Sequence, residues 1–154
     1  MSVISVQNPS RSPEEEPSAQ TPRQLALLAA AAADEKKATD IVIQDVSSLL
    51  DVTDYFVIMT AANRRRASAI EDAVRERLRD EGGASPAGVE GEEEGTWILL
   101  DYGSVVVHIF CPEEREYYRL EQLWSEAATL DVALAGIDDP VYTERIAAML
   151  GRDS

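Results

Sequence analysis

Apolar positions along the chain recur at two spacings, one helical and one alternating, and their succession outlines the elements. The run RQLALLAAAAADEKKA, residues 23–38, is built from strong helix formers and sets Leu25, Leu28 and Ala32 along one face, predicting a first helix. TDIVIQDV, residues 39–46, is dominated by β-branched side chains with Ile41, Ile43 and Val46 apolar, and predicts a strand. After a polar-flanked connection, DYFVIMTA, residues 54–61, predicts a second strand apolar enough to be buried on both faces. Asn63 is placed to cap a helix carrying Ala67, Ile70, Val74 and Leu78 at helical spacing, with Gly82-Gly83 as its stop. Residues 113–134, behind Pro112, predict a further helix with Tyr117, Leu120, Leu123 or Trp124, and Ala127 as an apolar stripe. Residues 138–153 predict a terminal amphipathic helix, with Pro140 near its first turn, Tyr142, Ile146, Met149 and Leu150 on one face and Gly151 as its stop.

Between these helices, SPAGVEGEEEG, residues 85–95, reads as a short strand or loop, and GTWILLDYGSVVVHIF, residues 95–110, as a hairpin. With Tyr102-Gly103 as a two-residue turn, Asp101 faces Ser104 and Trp97 faces His108. Alternation then gives Ile98, Leu100, Val105, Val107 and Ile109 one face of the sheet, and Trp97, Leu99, Val106, His108 and Phe110 the other. The order of elements is that of an α/β fold, a mixed β-sheet packed with helices.

Charge narrows the function. Lys and Arg number 14 against 29 Asp and Glu, a formal net charge of -15, so the surface repels phosphate backbones and suits a basic protein partner. The one compact basic run, Arg64-Arg65-Arg66, is too small for broad nucleic-acid binding, and little direct contact with nucleic acid is expected. No apolar run approaches a membrane span, and residues 1–21, rich in Pro, Ser and Glu, read as a disordered tail rather than a signal peptide. A cytoplasmic protein without an internal disulfide is the expectation, the chain having one cysteine.

Catalytic chemistry is hard to assemble. One His and one Cys cannot form a tetrahedral metal site, and Glu90, Glu92, Glu93 and Glu94 read as a solvated acidic loop rather than a hard-cation site. Phosphate-binding glycine motifs and a nucleophile elbow are missing. On a strand, Cys111 points away from His108, and Ser104 lies about 13 Å along it, too far for a dyad. His108 therefore reads as a packing residue beside Trp97 or as part of a recognition face, whose apolar patch calls for a covering helix or a partner. Tyr102 at a hairpin tip, and Tyr117, Tyr118 and Trp124 beyond it, are of the amphipathic type enriched at interfaces.

The stretch VEGEEEGTWILLDYGSVVVHIFCPEEREYYRLEQLW, together with DIVIQDVSSLLDVTDYFVIMTAANR, resembles the ribosomal silencing factor, or Iojap, family. The shared positions include Val89-Glu90-Gly91, Trp97, Leu100-Asp101-Tyr102-Gly103, His108, Phe110, Arg115-Glu116, Tyr118, Leu120-Glu121 and Leu123-Trp124, with Asp40, Asp54 and Asn63 in the second block. The resemblance implies a nucleotidyltransferase-like topology without catalytic residues, no cofactor and no metal. It implies binding to large-subunit ribosomal protein fourteen, steric exclusion of the small subunit and repression of translation under nutrient limitation. Carried over by residue, the partner-binding set is Asp101, Tyr102, His108, Phe110, Arg115, Glu116, Tyr118 and Trp124. Residues 22–130 would be the ribosome-binding domain and residues 131–154 a C-terminal extension with a short amphipathic helix. Thr60-Ala61-Ala62 before Asn63 departs from the family pattern. Two alternatives stand beside this reading: a metal-dependent nucleotidyltransferase-like enzyme using Asp40, Asp54 and Asp101, and a homodimeric ribosome assembly factor.

Overall fold

The computed structural model describes residues 20–152; most of the tail expected over residues 1–21 lies outside the described residues. Six strands form one mixed sheet in the order β3-β4-β5-β2-β1-β6. β1 (Thr39–Asp45) and β2 (Tyr55–Thr60) are antiparallel, β2 runs parallel to β5 (Val105–Phe110), and β4 (Trp97–Asp101) is antiparallel to β5. The edges are short: β3 (Gly88–Glu90) beside β4 and β6 (Ala128–Leu130) beside β1.

One face of the sheet is closed by two long helices. α1 (Pro22–Glu35) starts at a capping box, in which Thr21 accepts from the Gln24 amide and Gln24 accepts from the Thr21 amide. α2 (Arg64–Gly82) is capped by Asn63, whose Oδ1 accepts from Arg66 N at 2.9 Å, and ends at Gly83 as the sequence predicts. The alanines of α1 are small enough for the helix to lie close against α2 and the sheet: Ala26, Ala29, Ala30, Ala32 and Ala33 are buried with Ile43, Val57, Met59, Leu100, Val107 and Ile109. Val132 and Ile137 complete this main core, so the segment after β6 packs into the same body.

The hairpin differs from its predicted register by one residue at the turn. Tyr102 N donates to Val105 O, Trp97 pairs with Phe110 and Leu99 with His108, so Gly103-Ser104 forms the turn. Gly103 there has φ +83, which an L side chain rarely adopts. Because each residue's partner moves by two positions, the face assignment is unchanged. Tyr102 is half-buried against the main core instead of standing exposed at the tip.

The helix expected over residues 113–134 is broken. It becomes α3 (Pro112–Tyr118), α4 (Leu120–Leu123), the edge strand β6 and a 3-10 turn at Val132–Ala135. The break lies at Arg119, in the left-handed region at φ 49. Tertiary contacts override helix propensity at this point. Gln44 Nε2 on β1 donates to the carbonyls of Glu121 (2.9 Å) and Trp124 (3.2 Å), ending α4 against the sheet. Ala128–Leu130 then joins β1 as a strand. The terminal helix is also shorter than expected: α5 (Glu144–Met149) begins after Thr143, with Pro140 outside it and Ile146 buried.

Candidate functional site

The second face of the sheet carries Phe56, Ile58, Val106, His108, Phe110 and Trp97, and α4 covers only part of it through Leu120 and Trp124. Alternation puts Phe56 on β2 and Trp97, His108 and Phe110 on β4–β5 side by side, and they form a continuous array of rings. Trp124 meets Phe56 at 6.2 Å between centroids, Phe56 meets His108 edge-on at 5.1 Å, and Trp97 stacks on Phe110 at 4.7 Å. Trp97 then meets Tyr118 at 4.7 Å, and Tyr118 meets Tyr117 at 4.9 Å. The array runs from the buried sheet to the surface, where Tyr117 is 80% and Tyr118 51% exposed. Towards β3, Leu99 and Val106 remain partly exposed. An aromatic surface with a rigid base and amphipathic tips is suited to protein recognition.

His108 is fixed in this array by a hydrogen bond that it accepts at Nδ1 from Trp97 Nε1, at 3.1 Å. Burial, with Arg115 nearby as a lesser cause, pushes its pKa down to about 3, so the ring is neutral and carries its proton on Nε2. Cys111 Sγ is directed instead at the Gly95 carbonyl, 3.7 Å away. Burial first, and the charge of Glu114 second, raise its thiol above the usual range. Neither group is poised for nucleophilic chemistry.

Beneath α3 and α4 lies a buried ion cluster. Arg115 Nε donates to Glu121 Oε1 at 3.0 Å, its terminal nitrogen donates to Thr60 Oγ1 at 2.8 Å, and Arg145 of α5 reaches Glu121 Oε2 at 2.8 Å. Glu121 is fully buried; burial opposes its ionisation, but Arg115 and Arg145 outweigh that and hold its carboxyl below the usual range.

The residues expected to bind a partner divide by position. His108 and Phe110 are buried in the ring array, Trp124 stands at one end and Tyr118 near the other, beside Tyr117, and Arg115 is buried in the ion cluster. Glu116 is exposed on α3 but already paired with Arg119 (2.6 Å) and Arg145 (2.9 Å). Asp101 and Tyr102 lie apart, at the far end of β4 from Trp97. Asp101 Oδ1 there accepts from Gly103 N at 2.8 Å. Tyr102 faces the other side of the sheet, its hydroxyl pushed up to about 12 by burial. Phe56, Tyr117, Glu121 and Arg145 also belong to this region. Phe56 could have been found from its place on β2 had the pairing with β5 been known; Arg145 carries no sequence signal of its own.

Among the described residues, no group of three or more His, Cys, Asp or Glu side chains could hold a metal ion. Asp40 accepts from Thr143 N at 2.7 Å at one end of the sheet, while Asp54 and Asp101 lie at the other. The carboxylates of the enzymatic alternative are therefore not brought together.

Residues 19–149 match the family described as "Ribosomal silencing factor during starvation". The chain belongs to the ribosomal silencing factor family. It is 38% identical over 110 residues to ribosomal silencing factor RsfS of Bacillus subtilis, covering 71% of this chain and 92% of that protein. It is 33% identical over 93 residues to the mouse protein named "Mitochondrial assembly of ribosomal large subunit protein 1", covering 59% of this chain and 41% of that one. A crystal structure from Chromobacterium violaceum shares the fold at a TM-score of 0.65 and 31% identity, covering 80% of this chain and 92% of that one. Within the silencing factor sequence, Trp97, His108, Phe110, Tyr118 and Trp124 are the motif positions that build the ring array. Arg115 and Glu121 hold α3 and α4 beneath it.

Proposed function

We propose that this silencing factor binds the large ribosomal subunit through large-subunit ribosomal protein fourteen. Bound on the face where the subunits join, it excludes the small subunit and lowers translation when nutrients are limiting. The observation that carries the reading is the half-exposed ring array of a silencing-factor chain, Trp97–Tyr118–Tyr117 on the surface and Phe56–His108–Phe110 below. The net charge of -15 favours a basic ribosomal protein over ribosomal RNA, and the name of the mouse relative places that protein with the large subunit.

In this reading the protein acts by binding in the cytoplasm, not by catalysis. Residues 22–130 form the ribosome-binding body and residues 131–154 the C-terminal extension, whose segment around residues 141–146 braces that body. Tyr118 and Trp124 make direct contact, and His108, Phe110 and Arg115 hold them from beneath. Asp101 contributes from the hairpin end, and Tyr102, packed against the main core, holds that end from the opposite face. Since Glu116 is already paired with two arginines, Glu113 and Glu114 on the outer side of α3 supply most of the charge. The test is titration of purified ribosomal protein fourteen into this protein, with an unrelated protein of similar basic charge as control. Saturable binding to the first alone, lost in Trp97→Ala, is expected. Equal binding to both, or to neither, contradicts the proposal.

A further inference from the structure

The segment after β6 is tied to the sheet at an unusual point in β1. Asp40 adopts the left-handed region at φ 50, where the β1–β2 register is irregular, a conformation that persists in a non-glycine residue only when its surroundings enforce it. Here Asp40 N donates to Val141 O at 2.9 Å, and its carboxylate accepts from Thr143 N at 2.7 Å. Tyr142 adds a hydroxyl bond to Ile41 O at 2.7 Å. These contacts set the start of α5, and burial of Ile146 seats it.

From that seat Arg145 reaches across both short helices. Its Nε donates to Glu116 Oε2 on α3 at 2.9 Å, and a terminal nitrogen lies 2.8 Å from Glu121 Oε2 and donates to Gln122 Oε1 at 2.7 Å on α4. The bond from Arg145 is the main reason the Glu116 carboxyl lies below its usual range. α3 has seven residues and α4 four, joined through left-handed Arg119, so neither holds its own direction without tertiary support.

We propose that Arg145 is a positioning residue for partner binding: by joining α5 to Glu116 and Glu121 it fixes α3 against α4. It thereby sets Tyr117, Tyr118 and Trp124 in the arrangement the partner meets. The inference rests on the partner surface proposed above. A pair of helices free to take several arrangements binds more weakly in proportion to the time spent in the competent one. Arg145→Gln removes the bridging charge while leaving Arg115 on Glu121 Oε1; Glu121 Oε2 loses its close cation, so some loss of stability accompanies the change.

The experiment measures three properties of the wild type, Arg145→Gln and Ile146→Ala: affinity for purified large ribosomal subunits, thermal midpoint, and amide hydrogen exchange over residues 112–124. Arg145→Gln is expected to lose about tenfold in affinity with a smaller drop in midpoint than Ile146→Ala, if the competent arrangement falls to about a tenth of the population. Its faster exchange should be confined to α3 and α4. Ile146→Ala should lower the midpoint more and the affinity less. Unchanged affinity and exchange in Arg145→Gln, or affinity that simply follows thermal midpoint across both variants, overturns the inference. Should the wild type itself fail to bind large subunits, the proposed function falls. The exchange comparison then decides alone: unchanged exchange over residues 112–124 in Arg145→Gln refutes the brace, and faster exchange confined to them supports it.

Discussion

At the scale of single residues, His108 is a neutral imidazole whose Nδ1 must stay unprotonated to accept from Trp97. Its folded pKa of about 3 lies below the ordinary 6.5, so between these values the unfolded chain binds more protons and stability falls as pH falls. His108→Gln keeps an acceptor for Trp97 but cannot titrate. The wild type should therefore lose stability relative to this variant by about 1 kcal/mol per pH unit between about pH 6 and 4, read from urea midpoints. Glu71 works in the opposite direction, since burial and the neighbouring Glu92 push its carboxyl up from 4.5 to about 7 against the pull of Arg75. Its contribution is lost as pH rises through that range, but it is common to both proteins and cancels in the comparison. A flat difference would mean that His108 is solvated. The face occupied by His108 was legible in the sequence because alternation survives a turn shifted by one residue, whereas its neutrality depends on burial that includes Phe56, brought from the separate strand β2.

At the scale of elements, the strands and first two helices follow from periodicity and capping, but the region after Pro112 does not. Residues 113–134 have a helical pattern, and the competing forces are distant in sequence: Gln44 on β1, Thr60 on β2 and Arg145 on α5 each bond to α3 or α4. Glu121 is the centre of these contacts, and Glu121→Ala leaves Arg115 buried without its charge partner. Loss of about 3–5 kcal/mol of unfolding free energy is expected in urea titration. A loss under 1 kcal/mol would show that the cluster contributes little. The turn into β4 has its own requirement, because Gly91 has φ +86 and a Cβ there would lie 1.9 Å from Trp97 O. Gly91→Ala should destabilise the protein by about 1–3 kcal/mol and shift the Trp97 fluorescence, through strain at the start of the strand that carries the ring array. An unchanged midpoint would mean that the β3–β4 loop can relax.

At the scale of the whole molecule, a sheet closed on one face by α1 and α2 has its other face only partly covered among the described residues, and the family motif residues Trp97, His108, Phe110, Tyr118 and Trp124 gather on that side. Their spread along the sequence, from Trp97 to Trp124, makes the array legible as a motif and its geometry legible only in three dimensions. An acidic body with this aromatic surface should bind a basic partner with an affinity that falls as salt rises. The most direct measurement is sucrose-gradient sedimentation of purified large and small ribosomal subunits, with and without the protein, at a salt concentration where they associate. The account predicts that the protein sediments with the large subunit and the whole-ribosome peak disappears, and that Trp97→Ala restores that peak. Protein remaining at the top of the gradient with whole ribosomes intact would contradict it.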